Sequence, residues 1–310
     1  MFQPDIQCQS TIRNCLRQSE NSDIRAIYKE TNKGNKLKYN GYATTKDVVK
    51  DIRSKKESRI NNKLTTQGLV MKSIWKYTMT SSRSIWQKVV DKLPRNIYSF
   101  AIRYLSNTLA NGTNQRKWGK NVNSLCLACN NPQTLGHVIG GCANHLNEGR
   151  YNYRHDSIVT NLVKTIKPAD GRVIYADIEG YANPSTFTGE EYRPDILVTD
   201  QNNIRIIELT VGFETNIEVN TKNKSDRYEP LIQQLKTTGY KVEYVNLVMG
   251  AIGTYGHSCS NLKKTLLDLG VSSLETDYIM KKIVNVCIRC TYYIFCMRNK
   301  DWSNPDLMYW

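Results

Sequence analysis

A short segment with four potential metal ligands constrains this sequence more than any other feature. Residues 126–142 read CLACNNPQTLGHVIGGC, with the spacing Cys126-x2-Cys129-x7-His137-x4-Cys142. Two close ligands, a loop and two further close ligands suit a tetrahedral structural zinc site. Because so short a segment has almost no apolar core, the metal would supply its folding free energy. We therefore predict structural Zn²⁺ on these four residues.

Other interpretations of the Cys and His residues stay open. His145 could replace His137 as a ligand, or the three cysteines could be buried beside a chance histidine. A second CxxC pair, Cys287 and Cys290, lies in the apolar stretch VNVCIRCTYYIFC, and no second ligand pair follows it. We interpret that second pair as core cysteines.

Charge is distributed unevenly along the chain. The net charge of the 310 residues is +15. Residues 1–120 contain 24 Lys and Arg against 8 Asp and Glu, whereas residues 121–310 contain 19 against 20. This distribution indicates a folded module joined to a segment that binds a polyanion. The plainer alternative is a solvated surface.

Composition also excludes some classes of protein. No apolar run reaches the roughly 18 residues of a membrane-spanning helix, and the N-terminal residues lack the apolar core of a secretory signal. Nine cysteines, an odd number, suit a reducing compartment better than a disulfide framework. We therefore expect no membrane association.

Apolar periodicity predicts the order of helices and strands. Helical spacing is clear from about residue 65 to 120, with an interruption at Pro94. Beyond Tyr151 the pattern predicts the order α-β-β-β-α-β-α-α. The predicted elements are a helix over 151–166, strands over 172–178, 193–199 and 204–211, a helix over 214–238, a strand over 241–252, and helices over 260–269 and about 274–298.

Two carboxylates lie in a predicted hairpin. Residues 193–209, RPDILVTDQNNIRIIEL, are typical of two strands joined by a polar turn. Counting outward from a turn at Gln201 and Asn202 sets Asp195 opposite Glu208, and opposed Cβ atoms lie about 4.5–5.5 Å apart. Both strands are apolar on both faces, as in a covered sheet. A bound cation would relieve the repulsion between the acids, and oxygen ligands suit Mg²⁺.

A lysine beside such a pair would complete a site for phosphodiester hydrolysis. A metal held by two carboxylates can coordinate a phosphate oxygen and lower the pKa of a bound water. A lysine can position the nucleophile or offset developing charge. The helix after the hairpin carries Lys222 and Lys224, and Lys224 shares a helical face with Arg227, Tyr228 and Leu231.

A simpler alternative needs no metal. Asp195 would cap the start of its strand, and Glu208 would form an ordinary ion pair with Arg193 or Arg205. Distance discriminates between the two, because direct ligands lie about 2.0–2.6 Å from the ion. Carboxylates and Lys224 more than about 8–10 Å apart would make a shared metal site implausible on the same ground.

The order of these motifs resembles a known family. Asp195 after a proline, then Glu208 on the next strand, resembles the PD-(D/E)xK nuclease core, although Thr210 stands where the common form has lysine. A variant carries the lysine on the following helix in K-x-x-K-Y. KSDRY (224–228) resembles that motif, with Arg227 in the place of the second lysine. The variant belongs to site-specific non-LTR retrotransposons with a C-terminal restriction-like endonuclease.

The resemblance extends upstream. In that family a CCHC zinc knuckle precedes the nuclease, as residues 126–142 do here. The segment 149–159 is similar to the family's helix that links the knuckle to the nuclease. Residues 103–119 resemble the basic helical segment that precedes the knuckle, and residues 57–70 resemble the segment that follows the polymerase thumb. The chain has no Y/F-x-D-D motif of a reverse transcriptase. The resemblance, over about residues 57–300, is therefore to the C-terminal part of such a polyprotein.

The resemblance implies an α+β or α/β fold class with four parts. These are a basic, mostly helical nucleic-acid-binding region (1–120), a CCHC zinc knuckle (121–150), a restriction-like endonuclease domain with a mixed sheet flanked by helices (151–300), and a tail (301–310). The implied activity is Mg²⁺-dependent nicking of target DNA, so that the 3′ end primes reverse transcription in the nucleus. The implied partners are the target duplex, element RNA and a reverse transcriptase domain on a longer polyprotein.

The resemblance and the local chemistry together nominate site residues. The catalytic candidates are Asp195 and Glu208, which would hold Mg²⁺, with Lys224 and its rival Lys222. The nucleic-acid-binding candidates are Arg103, Arg116, Lys117, Trp118, Lys120, Arg154, Arg227 and Tyr228.

Two other classes of function compete with an endonuclease. Thr210 and Arg227, at the family's lysine positions, leave open a non-catalytic zinc-dependent nucleic-acid-binding protein or a decayed element fragment. A scaffold for protein interactions would explain the CxxC motif and the helices, but not two carboxylates opposed inside a sheet.

Overall fold

The computed structural model describes residues 14–32 and 45–305. Part of the predicted basic region, residues 1–13 and 33–44, lies outside the described residues, as does the end of the predicted tail. The chain divides into two compact units, Met1–Lys63 and Leu64–Trp310. The first contains helix α1 (Ser22–Asn32) and most of helix α2 (Thr45–Gln67).

The second unit begins with helices whose apolar residues join its core. Pro94 separates two of these helices, as predicted, because proline cannot continue a helix from the preceding residues. These helices belong to the same compact unit as the sheet. They are α3 (Leu69–Tyr77), α4 (Thr80–Val90), α5 (Arg95–Leu105) and α6 (Gly112–Lys117).

The remainder of the second unit follows the predicted order from residue 151 onward, with one short additional helix. It comprises a π-helical turn (His137–Gly141), α7 (Ala143–Asn147), α8 (Arg150–Val163), β1 (Arg172–Ala176), α9 (Ser185–Thr188), β2 (Ile196–Asp200), β3 (Asn203–Gly212), a 3-10 turn (Glu214–Asn216), α10 (Ile217–Thr237), β4 (Lys241–Gly250), a 3-10 turn (His257–Asn261), α11 (Leu262–Asp268) and α12 (Ser273–Cys296).

The four strands form one mixed sheet in the order β1-β2-β3-β4. The pairs β1–β2 and β2–β3 are antiparallel, and β3–β4 is parallel because α10 crosses over between them. Gly239, at φ +96°, follows α10 and turns the chain back toward β4. The prediction of an α+β chain with a mixed sheet flanked by helices is confirmed.

Helices cover both faces of the sheet. On one face, Ile207 and Leu209 pack into the main core with residues of α8 and α12, including Ile158 and Ile283. On the other face, Ile204 and Ile206 pack under α10 with Tyr228, Leu231, Ile232 and Leu235. Because helices cover both faces of the sheet, the residues on both faces of the hairpin strands are apolar, and not only every second residue. We call the second face the α10 face.

Several element boundaries differ from the sequence prediction; the strand predicted over 193–199, for example, spans Ile196–Asp200. Strand β1 ends at Ala176, because the chain turns at the following Asp177 and Ile178. The segment 214–238 starts as a 3-10 turn, and α10 itself begins at Ile217. Over the residues that the structure describes, no helix has both the length and the apolar composition for crossing a bilayer.

Candidate functional site

The four predicted zinc ligands converge in the folded chain. The donor atoms of Cys126, Cys129, His137 and Cys142 all lie within 4.8 Å of one another. The Cys142 Sγ atom is 3.9 Å from Cys126 Sγ and 3.7 Å from Cys129 Sγ, and His137 Nε2 is 3.2 Å from Cys129 Sγ. Such a cluster can bind a metal ion.

The spacing of these atoms fits zinc. Two thiolates at about 2.3 Å from Zn²⁺ in a tetrahedron lie about 3.8 Å apart, which agrees with both Sγ–Sγ separations in the structure. Burial lowers the pKa of His137, which favours the neutral imidazole that a metal ligand requires. Three sulfurs and one imidazole nitrogen complete the four positions of a structural site.

Tight backbone turns bring the ligands together. The Asn130 backbone N–H donates to the Cys126 carbonyl at 2.9 Å, and Asn130 itself has φ +56°. His137 is the first residue of the π-helical turn, and Cys142 directly follows its last residue. A Cβ atom at Gly136 would lie 3.2 Å from the Phe213 ring, so glycine allows this turn to pack against the end of β3.

The other Cys and His residues lie outside this cluster. His145 is fully buried, and it is not one of the four residues whose donor atoms converge. Cys287 and Cys290 are buried on α12, as predicted for core cysteines.

The predicted hairpin register is confirmed. Ile196 pairs with Ile207, and Asp200 pairs with Asn203 across the turn. Asp195 immediately precedes β2, and Glu208 lies within β3, so the same register sets the two acids opposite each other. Glu208 is 2% exposed and Asp195 is 8% exposed.

The backbone of the hairpin links the two carboxylates. The Asp195 backbone N–H donates to Glu208 Oε2 at 3.2 Å, and the Leu209 backbone N–H donates to Asp195 Oδ2 at 2.6 Å. Burial and the Asp195 charge raise the pKa of Glu208, and Lys224 opposes this shift. The two acids are therefore fixed side by side where their negative charges repel.

Helix α10 supplies the cation beside this pair. Lys224 Nζ forms an ion pair with Glu208 Oε1, whereas Lys222 is exposed. Tyr228 is buried on the same side of α10, and its hydroxyl donates to the Arg193 carbonyl at 3.0 Å. Arg227 is exposed, with its guanidinium 5.8 Å from the Tyr228 ring.

A histidine that the sequence analysis overlooked contacts the other carboxylate. His155 Nε2 on α8 lies 3.2 Å from Asp195 Oδ1, and Asp156 Oδ1 lies 2.9 Å from His155 Nδ1. Burial lowers the pKa of His155, but the hydrogen bonds to Asp156 and Asp195 outweigh it and raise the pKa to about 10. This residue lies in the segment 149–159, where the adjacent His155 and Asp156 were the available signal.

Two buried oxygen atoms without partners lie on the same face as Glu208. Thr210 follows Glu208 by two residues, and Asn246 pairs with Glu208 across β3 and β4. Thr210 Oγ1 and Asn246 Oδ1 have no hydrogen-bond partner in the described part of the chain. Oxygen donors of this kind, with two carboxylates, are the ligand chemistry that Mg²⁺ prefers. Among the described residues, the Cys3His cluster is the one converging group of three or more Cys, His or acidic ligands.

Several predicted nucleic-acid-binding residues are accessible. Arg103 is exposed at the end of α5. Arg116, Lys117, Trp118 and Lys120 are exposed together at the end of α6, and Trp118 is 46% exposed. We call these four residues the α6 patch. Its cations can meet phosphates and its indole can stack on a base.

Two predictions of nucleic-acid contact are wrong. Arg154 is 1% exposed, and its guanidinium donates to Thr291 Oγ1 and to the carbonyls of Ile139 and Val211. These contacts stabilise the junction of α8 with β3 and α12. Tyr228 is also 1% exposed, so its ring cannot stack on a base.

Comparison with protein-family models finds no matching family, and no curated protein matches the chain.

Proposed function

We propose that this chain is a metal-dependent DNA endonuclease module of the restriction-like class. The observation that carries the proposal is the contact of Lys224 with Glu208, which itself accepts a hydrogen bond from the Asp195 backbone. Two acids and a lysine from three separate segments meet at one buried point. Because the two carboxylates and Lys224 are not widely separated, the proposal of a shared metal site stands.

Each residue has a defined task in this proposal. Asp195 and Glu208 would hold Mg²⁺, which when bound coordinates a phosphate oxygen and activates a water. Lys224 orients Glu208 and offers positive charge toward the phosphate as negative charge develops. His155 holds Asp195 from the side of α8. The Cys3His cluster serves as a structural zinc site and takes no part in cleavage.

The remainder of the proposal concerns partners. The α6 patch contacts the backbone of target DNA or element RNA, so binding weakens as salt concentration rises. The chain would act in the nucleus as part of a non-LTR retrotransposon protein, beside a reverse transcriptase domain. The nicked strand would then prime reverse transcription by that other domain.

Plasmid nicking tests the cleavage chemistry. Wild-type protein is expected to convert supercoiled plasmid to open circles with Mg²⁺, whereas Asp195→Asn is not. The Asn side-chain oxygen can still accept from the Leu209 N–H, so the variant should remain folded. Equal nicking by wild type and variant would remove Asp195 from the mechanism.

A second function is favoured by one specific observation. Lys224 and His155 already give each carboxylate a cationic or hydrogen-bonding partner without a metal, and the usual lysine position is Thr210. The chain would then be a zinc-dependent nucleic-acid-binding protein without catalysis. Binding of DNA by folded wild-type protein that never nicks it with Mg²⁺ or Mn²⁺ would favour this function.

A further inference from the structure

A basic groove lies between the C-terminal end of α4 and the middle of α12. Its volume is about 530 Å³. One carboxylate, Asp91, accompanies the cations that line it. Those cations are Lys88, Lys92, Lys281, Lys282 and Arg289.

The cations on α12 follow one face of the helix. Tyr278, Lys281, Lys282 and Arg289 line the groove at helical spacing, while Ile283 faces the core. From Tyr278 to Arg289 the helix rises about 17 Å. One strand of a nucleic acid duplex presents a charge about every 3.4 Å of axis, so this stripe can meet several successive phosphates.

The lysines of the groove have no close ion-pair partner among the described residues, although, after Lys263, the charges of Lys281 and Lys88 contribute to the lowered pKa of Asp277. The acids at the start of α12 pair elsewhere: Glu275 lies 2.8 Å from Lys167 Nζ, and Asp277 lies 2.8 Å from Lys263 Nζ. In the described residues, no ion pair within 4.0 Å involves the four groove lysines. Lys281, Lys282 and Arg289 belong to residues 121–310, which are close to neutral as a whole, so on α12 these cations are a local concentration of charge.

The groove is separate from the carboxylate pair. Helix α12 packs with α8 and α4 on the face of the sheet opposite the α10 face. We propose that the groove binds the phosphate backbone of a polynucleotide, as a second contact surface besides the α6 patch. The inference shares with the proposed function the class of ligand, nucleic acid, and requires no cleavage at Asp195 and Glu208.

Salt-dependent binding tests the proposal. Binding of a fluorescent DNA duplex is measured by anisotropy over a series of salt concentrations without added Mg²⁺. Lys281→Gln/Lys282→Gln is compared with a matched control, Lys236→Gln/Lys241→Gln, which removes the same charge at exposed positions outside the groove. Glutamine preserves helix propensity, and thermal melting checks that each variant is folded.

The groove variant should bind more weakly and lower the salt slope by about 1.8, because each lost phosphate contact removes about 0.9. The control should retain the wild-type slope. An unchanged slope in the groove variant would overturn the proposal, as would an equal loss in the control. Because no step requires hydrolysis, failure of plasmid nicking and failure of this test are separate results.

A competition arm separates a polynucleotide from a small phosphate ligand. Chloride is replaced by inorganic phosphate at constant ionic strength. If the groove binds a backbone, the difference in affinity between wild type and the groove variant persists. Loss of that difference in phosphate would mean that the groove holds free phosphate, and the proposal would fail.

Discussion

Lys224 and Glu208 form an ion pair although they are separated by 16 residues and belong to different elements. Lys222, two residues earlier on α10, is exposed instead. The ion pair therefore identifies Lys224, and not Lys222, as the lysine beside Glu208, whereas the sequence alone left both as candidates. It also gives the buried Glu208 carboxylate its nearest positive charge.

We expect Lys224→Met to reduce DNA nicking by about 100-fold or more, because loss of one group that offsets transition-state charge typically costs 10²–10³ in rate. Lys222→Met should nick at close to the wild-type rate. Single-turnover nicking under saturating Mg²⁺ measures both. Equal losses in the two variants would mean that total charge on α10, and not the contact with Glu208, governs the rate.

His155 should act as a positioning residue for Asp195. Partners that hydrogen-bond to metal-ligating side chains typically affect metal affinity or activity by 10–100-fold. His155→Ala is therefore expected to raise the Mg²⁺ concentration for half-maximal nicking by about 10-fold or more. His155→Gln, whose amide nitrogen can still donate to Asp195 Oδ1, should recover part of this loss. An unchanged Mg²⁺ dependence in His155→Ala would contradict the role.

The sequence predicted the parts of this site that depend on local geometry. A polar turn at Gln201 and Asn202 fixes the hairpin register, so the opposition of Asp195 and Glu208 followed by counting. The CCHC spacing likewise anticipated the convergence of the Cys and His ligands. Each feature is set within one short continuous segment of chain, where backbone geometry allows few alternatives.

The parts that depend on packing between distant segments were missed. His155 meets Asp195 because α8 lies beside the hairpin, and no local pattern specifies that contact. Arg154 was nominated as a nucleic-acid contact, which requires an exposed side chain, and arginine is indeed seldom buried. Yet four-residue steps back from Ile158 along the apolar face of α8 reach Arg154 and then Arg150, and both are buried. The helical periodicity thus contained a signal that the residue types concealed.

Metal content should depend on the Cys3His cluster alone. Purified wild-type protein is expected to carry about one zinc per chain, and Cys129→Ser should lose it and expose residues 126–142 to proteolysis. Cys290→Ala, in the core CxxC pair, is the control and should retain the zinc. Zinc lost from both variants would indicate general unfolding, and a zinc-free wild type with an intact fold would refute the site.

The buried Glu214 should give stability a measurable pH dependence. Its carboxylate accepts from the Tyr104 hydroxyl at 2.6 Å and from the Ile252 N–H at 2.9 Å. Burial raises the pKa of Glu214 above its ordinary value of 4.5. A raised folded-state pKa means that the proton stabilises the fold below about pH 4.5, and this contribution is lost as pH rises through the folded value.

Glu214→Gln removes this titration while retaining an oxygen for the Ile252 N–H. The free energy of unfolding of wild type, minus that of the variant, should therefore fall as pH increases from about 4.5. Urea denaturation of both proteins over the same pH series measures this difference, and effects common to both proteins cancel. A difference that stays constant or rises with pH would contradict the raised pKa.

Arg154 and Arg116 should separate stability from nucleic-acid binding. Arg154→Met leaves the carbonyls of Ile139 and Val211 without their guanidinium donor, and we expect a loss of about 3 kcal/mol in the free energy of unfolding. Duplex affinity of the folded variant should be unchanged.

Arg116→Gln, on an exposed side chain, should have the opposite effect. Its stability should be close to that of the wild type, and its salt slope for duplex binding should be lower by about 0.9. Urea denaturation and anisotropy on both variants provide the comparison. Weaker duplex binding by folded Arg154→Met would restore that arginine to the nucleic-acid interface, despite its burial.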